Sequence, residues 1–130
     1  MAHILVIDDD KSILSVIVEL LTLSGHRVDV AENGKIGLKL AGLNRYDLII
    51  TDVVMPELDG FDVLMALKES ATDVGIIVMS GGSAKLNADH LLRIAGHMGA
   101  VRVLRKPLDF TKLLNTVTEI LNSPPDRSPV

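Results

Sequence analysis

The sequence predicts a doubly wound α/β fold built on a five-stranded parallel sheet. Five short runs rich in Ile and Val alternate with longer segments whose apolar residues recur at helical spacing. The first, third and fourth runs are almost continuously apolar, which is typical of strands buried on both faces of a sheet. At 130 residues and 48% hydrophobic, the chain has the size of one domain with a single core. We therefore expect five βα units in which crossover helices join parallel strands.

The strands follow from these runs. In chain order they are HILVI (3–7), RVDVA (27–31), YDLIIT (46–51), GIIVMS (75–80) and VRVL (101–104). The helices between and after them are indicated by apolar residues that share one face: Ile13, Ile17, Leu20 and Leu21; Ile36, Leu40 and Leu43; Phe61, Leu64 and Leu67; Leu91, Ile94, Ala95 and Met98; and Phe110, Leu113, Leu114, Val117, Ile120 and Leu121. In the first helix, Val16, Val18 and Leu23 widen the apolar face, and we expect them to be buried.

Capping residues agree with this division. Asn33 and Asp109 precede the second and fifth helical segments, where an N-cap side chain is expected. Gly25 and Gly99 follow apolar helical runs and predict their C-terminal ends. Residues 1–122 are thus expected to form one domain, and the Pro-rich segment 123–130 a disordered tail or the stub of a linker.

Composition excludes several classes of function. A net charge of −4 argues against direct binding of nucleic acid, which requires a clustered basic surface. The absence of cysteine excludes disulfides and thiolate metal sites. The sequence has neither a signal-peptide pattern nor an apolar stretch long enough to cross a bilayer, so we expect no membrane association and a cytoplasmic location.

Four of the five predicted strands deliver a charged or hydroxyl side chain at their carboxyl ends. These residues are Asp8 and Asp9 after the first strand, Asp52 after the third, Ser80 at the end of the fourth, and Lys106 after the fifth. The second strand ends in Ala31 and delivers no such group. In an open parallel sheet, this edge is where ligands bind.

Two kinds of chemistry fit this set. Converging carboxylates repel one another, and a bound Mg²⁺ ion would offset this repulsion. Mg²⁺ takes oxygen ligands, which Asp9, Asp52 and a nearby backbone carbonyl would supply. A carboxylate can also accept a phosphoryl group, whose oxygens a metal, a lysine and a hydroxyl would neutralise. We therefore assign Asp52 as acceptor, with Lys106 and Ser80 as phosphoryl ligands. By itself, "DDD" before a helix is equally typical of an N-cap, for which Asp10 is well placed.

The motifs "VIDDD", "DLIITDVVMPELDG", "IIVMSG" and "VLRKPLD" resemble the receiver domain of bacterial two-component response regulators over residues 3–122. The resemblance implies a flavodoxin-like (βα)5 fold with strand order 2-1-3-4-5. By position, it implies an acidic pocket at Asp8 and Asp9 and phosphorylation of Asp52. Ser80 would be the family's hydroxyl residue and Lys106 its lysine. Mg²⁺ would be held by the pocket with the carbonyl of Val54, and a cis peptide bond would precede Pro107.

The resemblance also implies partners and output. The phosphoryl donor would be a phosphohistidine of a sensor histidine kinase or a histidine phosphotransfer protein. The chain would be a signalling phosphoacceptor that promotes its own phosphorylation and dephosphorylation, not an enzyme. Phosphorylation would change the surface around the fourth helix, fifth strand and fifth helix, and thereby regulate binding of a downstream protein.

The sequence departs from the family pattern at three places. Val103 stands three residues before the lysine, where relatives often have an aromatic switch residue. The stretch from Ser80 to Lys106 is about one helical turn longer than is usual in the family. Val54, two residues after the acceptor, is apolar where some relatives carry a polar side chain, so the lifetime of the aspartyl phosphate does not follow from the sequence.

Three alternatives remain open at this point. A phosphatase of the haloacid dehalogenase kind combines similar residues, but its nucleophile lies in a D-x-D after the first strand and it usually has a cap domain. A flavodoxin-like module that binds FMN is a second alternative, but the chain has only 2% aromatic residues and no tryptophan with which to bind a flavin. The third alternative is a receiver that serves only as an interaction surface and is not phosphorylated. The presence of all five residues, Asp8, Asp9, Asp52, Ser80 and Lys106, argues against it.

Overall fold

The computed structural model describes residues 1–52, 65–66, 69, 74–80 and 101–122. Within them lies a five-stranded parallel sheet of β1 (His3–Ile7), β2 (Arg27–Ala31), β3 (Leu48–Asp52), β4 (Gly75–Ser80) and β5 (Val101–Arg105). The strand order is β2-β1-β3-β4-β5. The predicted fold class and strand order are therefore confirmed.

Three strand boundaries, two in β3 and one in β5, differ from the prediction by one or two residues. β3 begins at Leu48, and the backbone N–H of Asp47 before it donates to the carbonyl of His3 at 2.8 Å. β3 also includes Asp52, which pairs in register with Met79. β5 extends to Arg105, opposite Ser80.

Three helices are described in full. They are the first helix (Lys11–Leu23), the second helix (Gly34–Leu43) and the C-terminal helix (Phe110–Asn122). The side chain of Asn33 accepts the backbone N–H of Ile36 at 2.8 Å, and that of Asp109 accepts the N–H of Lys112 at 3.1 Å, so both predicted N-caps are confirmed. The first helix ends before Gly25, whose φ of 89° is a conformation that glycine adopts without strain.

The core lies on both faces of the sheet. Ile4 and Val6 of β1 point toward the first and C-terminal helices, and pack with Leu14, Ile17 and the side chains around them. Leu5 and Ile7 of the same strand point to the other face and are equally buried. The near-continuous apolar strands of the sequence are thus explained by burial from both sides.

The second helix packs through its glycines, and of its predicted apolar face only Leu40 is partly buried. Gly34 and Gly37 are buried, whereas Ile36 and Leu43 are 44% and 71% exposed. A Cβ on Gly37 would clash with the Cδ1 atom of Ile7 and lie 2.8 Å from its Cγ1. Because this glycine has no side chain, the helix backbone approaches β1 closely, and the helix is rotated so that Ile36 and Leu43 turn away from the sheet while Leu38 and Leu40 stay half-buried.

The first helix is also less buried than expected. Val16 and Leu23 are 38% and 78% exposed, so the expectation that they are buried was wrong, while Val18 is half-buried. Leu14, which the predicted face left out, lies in the core. The helix buries a narrower stripe than its apolar composition indicates.

Several predicted features lie outside the described residues. Residues 65–66 and 69 are helical, in the region predicted as the third helix, whose face residues Phe61, Leu64 and Leu67 are not described. The predicted fourth helix, Gly99 and the segment 123–130 are likewise outside. Among the described residues, none of the helices has the length and apolar character needed to cross a bilayer.

Candidate functional site

Asp8, Asp52 and Lys106 meet at the carboxyl edge of the sheet. Asp8 directly follows β1, Asp52 is the last residue of β3, and Lys106 directly follows β5. β1 and β3 are neighbours in the sheet. From β1 the chain passes to β2 on one side, and from β3 it continues to β4 and β5 on the other, so the direction of winding reverses between β1 and β3. In open parallel sheets, the crevice beyond this reversal point is the usual ligand site.

The ammonium group of Lys106 bridges the two buried carboxylates. Its Nζ donates to Oδ2 of Asp52 at 2.8 Å and to Oδ2 of Asp8 at 3.0 Å. The side chains of Asp8 and Asp52 are 0% and 6% exposed, and that of Lys106 is 18% exposed. Burial acts to lower the pKa of Lys106, but the hydrogen bonds and negative charges of Asp52 and Asp8 outweigh it, so the pKa is raised. The lysine is therefore held in its charged form.

Three carboxylates form a cluster suited to a hard cation. Oxygens of Asp8, Asp9 and Asp52 lie within 4.8 Å of one another, with Asp9 exposed and the other two buried. Lys106 forms ion pairs with Asp8 and Asp52, and Asp9 adds a third carboxylate at the exposed rim. Carboxylate oxygens beside an opening to water are the donor set that Mg²⁺ takes, and the residues present fit this ion.

The three consecutive aspartates have separate structural positions. Asp8 is buried and its Oδ1 accepts the backbone N–H of Asp10 at 2.9 Å, which holds the carboxylate in place. Asp10 is the N-cap of the first helix, and its side chain accepts the N–H groups of Ser12 and Ile13 at 2.9 and 3.3 Å. Asp9 lies between them at the exposed rim. Asp10 is therefore an N-cap, whereas Asp8 and Asp9 belong to the carboxylate cluster.

The remaining predicted site residues are described in part. The backbone of Ser80 ends β4, in register with Arg105 and next to β3, but its side chain is outside the described part of the structure, as is all of Val54. Val103 is a half-buried residue of β5, paired with Val78. The peptide bond between Lys106 and Pro107 is cis.

Thr51, a neighbour of Asp52 in β3, was not identified from the sequence as part of the site. It is fully buried, and its Oγ1 donates to the backbone carbonyl of Asp52 at 3.0 Å. This bond satisfies the hydroxyl within the strand and fixes the carbonyl of Asp52. The available signal was a polar residue next to the acceptor at the end of an otherwise apolar strand.

Comparison with known proteins gives a consistent result. Residues 4–118 match the sequence model described as the response regulator receiver domain. The DNA-binding transcriptional regulator NtrC of Azospirillum brasilense is 38% identical over 122 residues, which cover 94% of this chain but 24% of the regulator. The chain therefore spans about a quarter of that relative's length.

Solved structures extend the similarity to three dimensions. A response regulator receiver domain protein from Clostridium thermocellum has a TM-score of 0.82 and 33% identity, over 94% of this chain and 95% of the other. The response regulator protein TrrA from Thermotoga maritima, in complex with Mg²⁺ and BeF, has a TM-score of 0.79 and 29% identity, over 93% of this chain and 100% of the other.

Proposed function

The chain belongs to the response regulator receiver domain family of two-component systems, and on that premise we propose that Asp52 is its phosphoacceptor. The proposed donor is a phosphohistidine of a sensor histidine kinase or a histidine phosphotransfer protein. One observation carries this proposal: Lys106 bridges the carboxylates of Asp52 and Asp8 where the strands end. A nucleophile and a fixed cation are thus already side by side.

The proposed transfer uses the groups of the pocket directly. A carboxylate oxygen of Asp52 attacks the phosphorus of the donor, and a P–O bond forms while the P–N bond breaks. The bonding electron pair stays on the imidazole nitrogen of the donor. The ammonium of Lys106 donates to an oxygen of the transferred group and offsets its charge. We also assign the hydroxyl of Ser80 to this group, since β4 ends beside β3.

We propose Mg²⁺ as the cofactor, held by Asp8, Asp9 and Asp52 with the carbonyl of Val54. Bound there, the ion would supply positive charge to the phosphoryl oxygens. Support comes from the carboxylate cluster, whose oxygens lie within 4.8 Å of one another, and from the relative TrrA, which was solved with Mg²⁺ and BeF.

We propose that residues 1–122 are the receiver domain, that 123–130 is a tail or linker stub, and that the chain acts in the cytoplasm. Phosphorylation would change the surface around the predicted fourth helix and the fifth strand, and thereby regulate a partner protein. Val103 is aliphatic, so the switch would operate without an aromatic side chain at this position of β5. Ser80 pairs with Arg105, the residue before Lys106. A movement of Ser80 toward the phosphoryl group would therefore be transmitted directly to β5.

The test is intact-mass measurement after incubation with phosphoramidate and Mg²⁺. We expect one added phosphoryl group on the wild-type chain, and none on Asp52→Asn or without metal. The matched control is Asp10→Asn, because asparagine also caps helices and Asp10 lies outside the cluster.

Each result has a defined meaning. Equal labelling of wild type and Asp52→Asn would refute the assignment of the acceptor. Absence of any adduct would favour an interaction module that acts without phosphorylation. Repeated turnover of a small phosphomonoester such as p-nitrophenyl phosphate would favour the phosphatase alternative.

A further inference from the structure

The second helix presents an apolar and basic face to solvent. Ile36 and Leu43 are 44% and 71% exposed. They lie seven residues apart, which is close to two helical turns, so they share one side of the helix. The opposite side is fixed to the sheet by the buried Gly34 and Gly37. The exposed aliphatic side chains are thus held on a firmly packed element.

The charge of this segment is opposite to that of its surroundings. Residues 33–46 contain three basic residues, Lys35, Lys39 and Arg45, and neither Asp nor Glu, in a chain whose net charge is −4. All three basic side chains are exposed. Lys35 and Lys39 lie within about 100° of Ile36 around the helix axis, so these two basic residues adjoin the exposed aliphatic residues on one side.

The acidic residues nearest in sequence are engaged elsewhere. Glu32 lies 3.7 Å from the ammonium of Lys11. Asp29 accepts the hydroxyl of Tyr46 at 2.8 Å. Asp47 accepts a backbone N–H of β1, also at 2.8 Å. Among the residues that the structure describes, no carboxylate forms an ion pair with the three basic residues of the segment, so the patch keeps its positive charge.

We propose that this face, formed by Lys35, Ile36, Lys39 and Leu43 and here called the second-helix surface, docks an amphipathic helix of a partner protein that carries acidic residues beside its apolar stripe. Helix-in-groove and helix-on-helix recognition uses apolar anchors at this spacing. Opposite charges beside the anchors favour association and fix its orientation. This interaction is distinct from the pocket and requires no phosphoryl group.

Two other occupants fit the observations less well. A second copy of the chain in a two-fold dimer would place the same basic residues against one another, because such an interface is self-complementary. An anionic bilayer would be repelled by a chain with a net charge of −4, and the second helix has no aromatic residue to insert. The charge pattern therefore favours an acidic protein helix.

The test uses a fluorescein-labelled, stapled helical peptide with leucines two turns apart flanked by glutamates, and measures its anisotropy with the full chain. We expect saturable binding that weakens with added salt. Leu43→Ser and Lys39→Glu should each weaken binding roughly tenfold. The matched controls are Leu23→Ser, at a leucine 78% exposed on the first helix, and Lys112→Glu on the C-terminal helix, and neither should change it.

Circular dichroism of each variant will establish that it is folded. Equal binding of all four variants, or of a peptide with lysines in place of the glutamates, would overturn the proposal. So would absence of saturable binding at millimolar peptide. Binding to vesicles of phosphatidylserine without binding to the peptide would assign the surface to lipid instead.

Discussion

Replacement of Lys106 by methionine isolates the contribution of its charge. Methionine keeps most of the aliphatic length but leaves the carboxylates of Asp8 and Asp52 without the ammonium that lies 3.0 and 2.8 Å from them. Removing one partner of a buried ion pair costs about 3 to 5 kcal/mol. Because Lys106 retains 18% exposure, water screens part of the interaction, and we expect about 3 kcal/mol.

Urea unfolding in metal-free buffer measures this change in the free energy of unfolding. A loss of about 3 kcal/mol should lower the midpoint by roughly 2 M. Lys112→Met removes an exposed lysine and should change the stability by less than about 0.5 kcal/mol. If both variants unfold at the same urea concentration, Lys106 does not stabilise the carboxylate pair and the reasoning is refuted.

Three further predictions follow from the packing and the charges. Gly37→Ala should destabilise the fold by about 1 to 3 kcal/mol through overpacking against β1, whereas Gly42→Ala, where a Cβ meets nothing within 4 Å, should stabilise it by up to about 1 kcal/mol. Burial, with the hydrogen bond and charge of Asp29, raises the pKa of Tyr46 to about 12 from 10.0, so its phenolate absorbance should titrate near pH 12, and the associated stability should be present below pH 10 and lost as the pH rises through 12. Mg²⁺ at about 100 times its Kd should stabilise the chain by about 2.7 kcal/mol, and Asp9→Asn should reduce this gain.

Each of these predictions has an internal control. A stabilising effect of both glycine substitutions in urea would show that β1 accommodates the added methyl group. Asp29→Asn should move the titration of the single tyrosine toward its ordinary pKa, and an unchanged midpoint would contradict the assigned cause. Asp10→Asn should leave the Mg²⁺ effect in thermal unfolding intact, and an equal loss in both aspartate variants would exclude a specific role for Asp9.

The sheet could be predicted from the sequence because its signal is local. Strands such as His3–Ile7 are apolar on both faces, and that pattern identifies a buried parallel strand wherever the neighbours are. The second helix could not be predicted correctly in the same way. Ile36 and Leu43 are at helical spacing, but the close approach of Gly37 to Ile7 decides the rotation of the helix, and that contact depends on a strand 30 residues away.

In the site, the positions of the residues could be predicted from the sequence, but their hydrogen bonds could not. Asp8, Asp52 and Lys106 could be placed together because parallel strands end at one edge, whatever their order. The bridging of both carboxylates by Lys106 could not be predicted, since it depends on how far a long side chain reaches from β5, past β4, to the ends of β3 and β1. The burial of Thr51 and its bond to the carbonyl of Asp52 likewise depend on strand pairing.

The two hydrogen bonds of Lys106 join positions 98 and 54 residues apart in the chain. During synthesis, Asp8 and Asp52 leave the ribosome well before the lysine, and contacts of such long sequence separation form only when the intervening chain has been ordered. A nascent chain that has not yet completed β5 has the acceptor carboxylate without its cation. On the chemistry proposed for Asp52, the pocket is therefore complete only after Lys106 has been synthesised and β5 has joined the sheet.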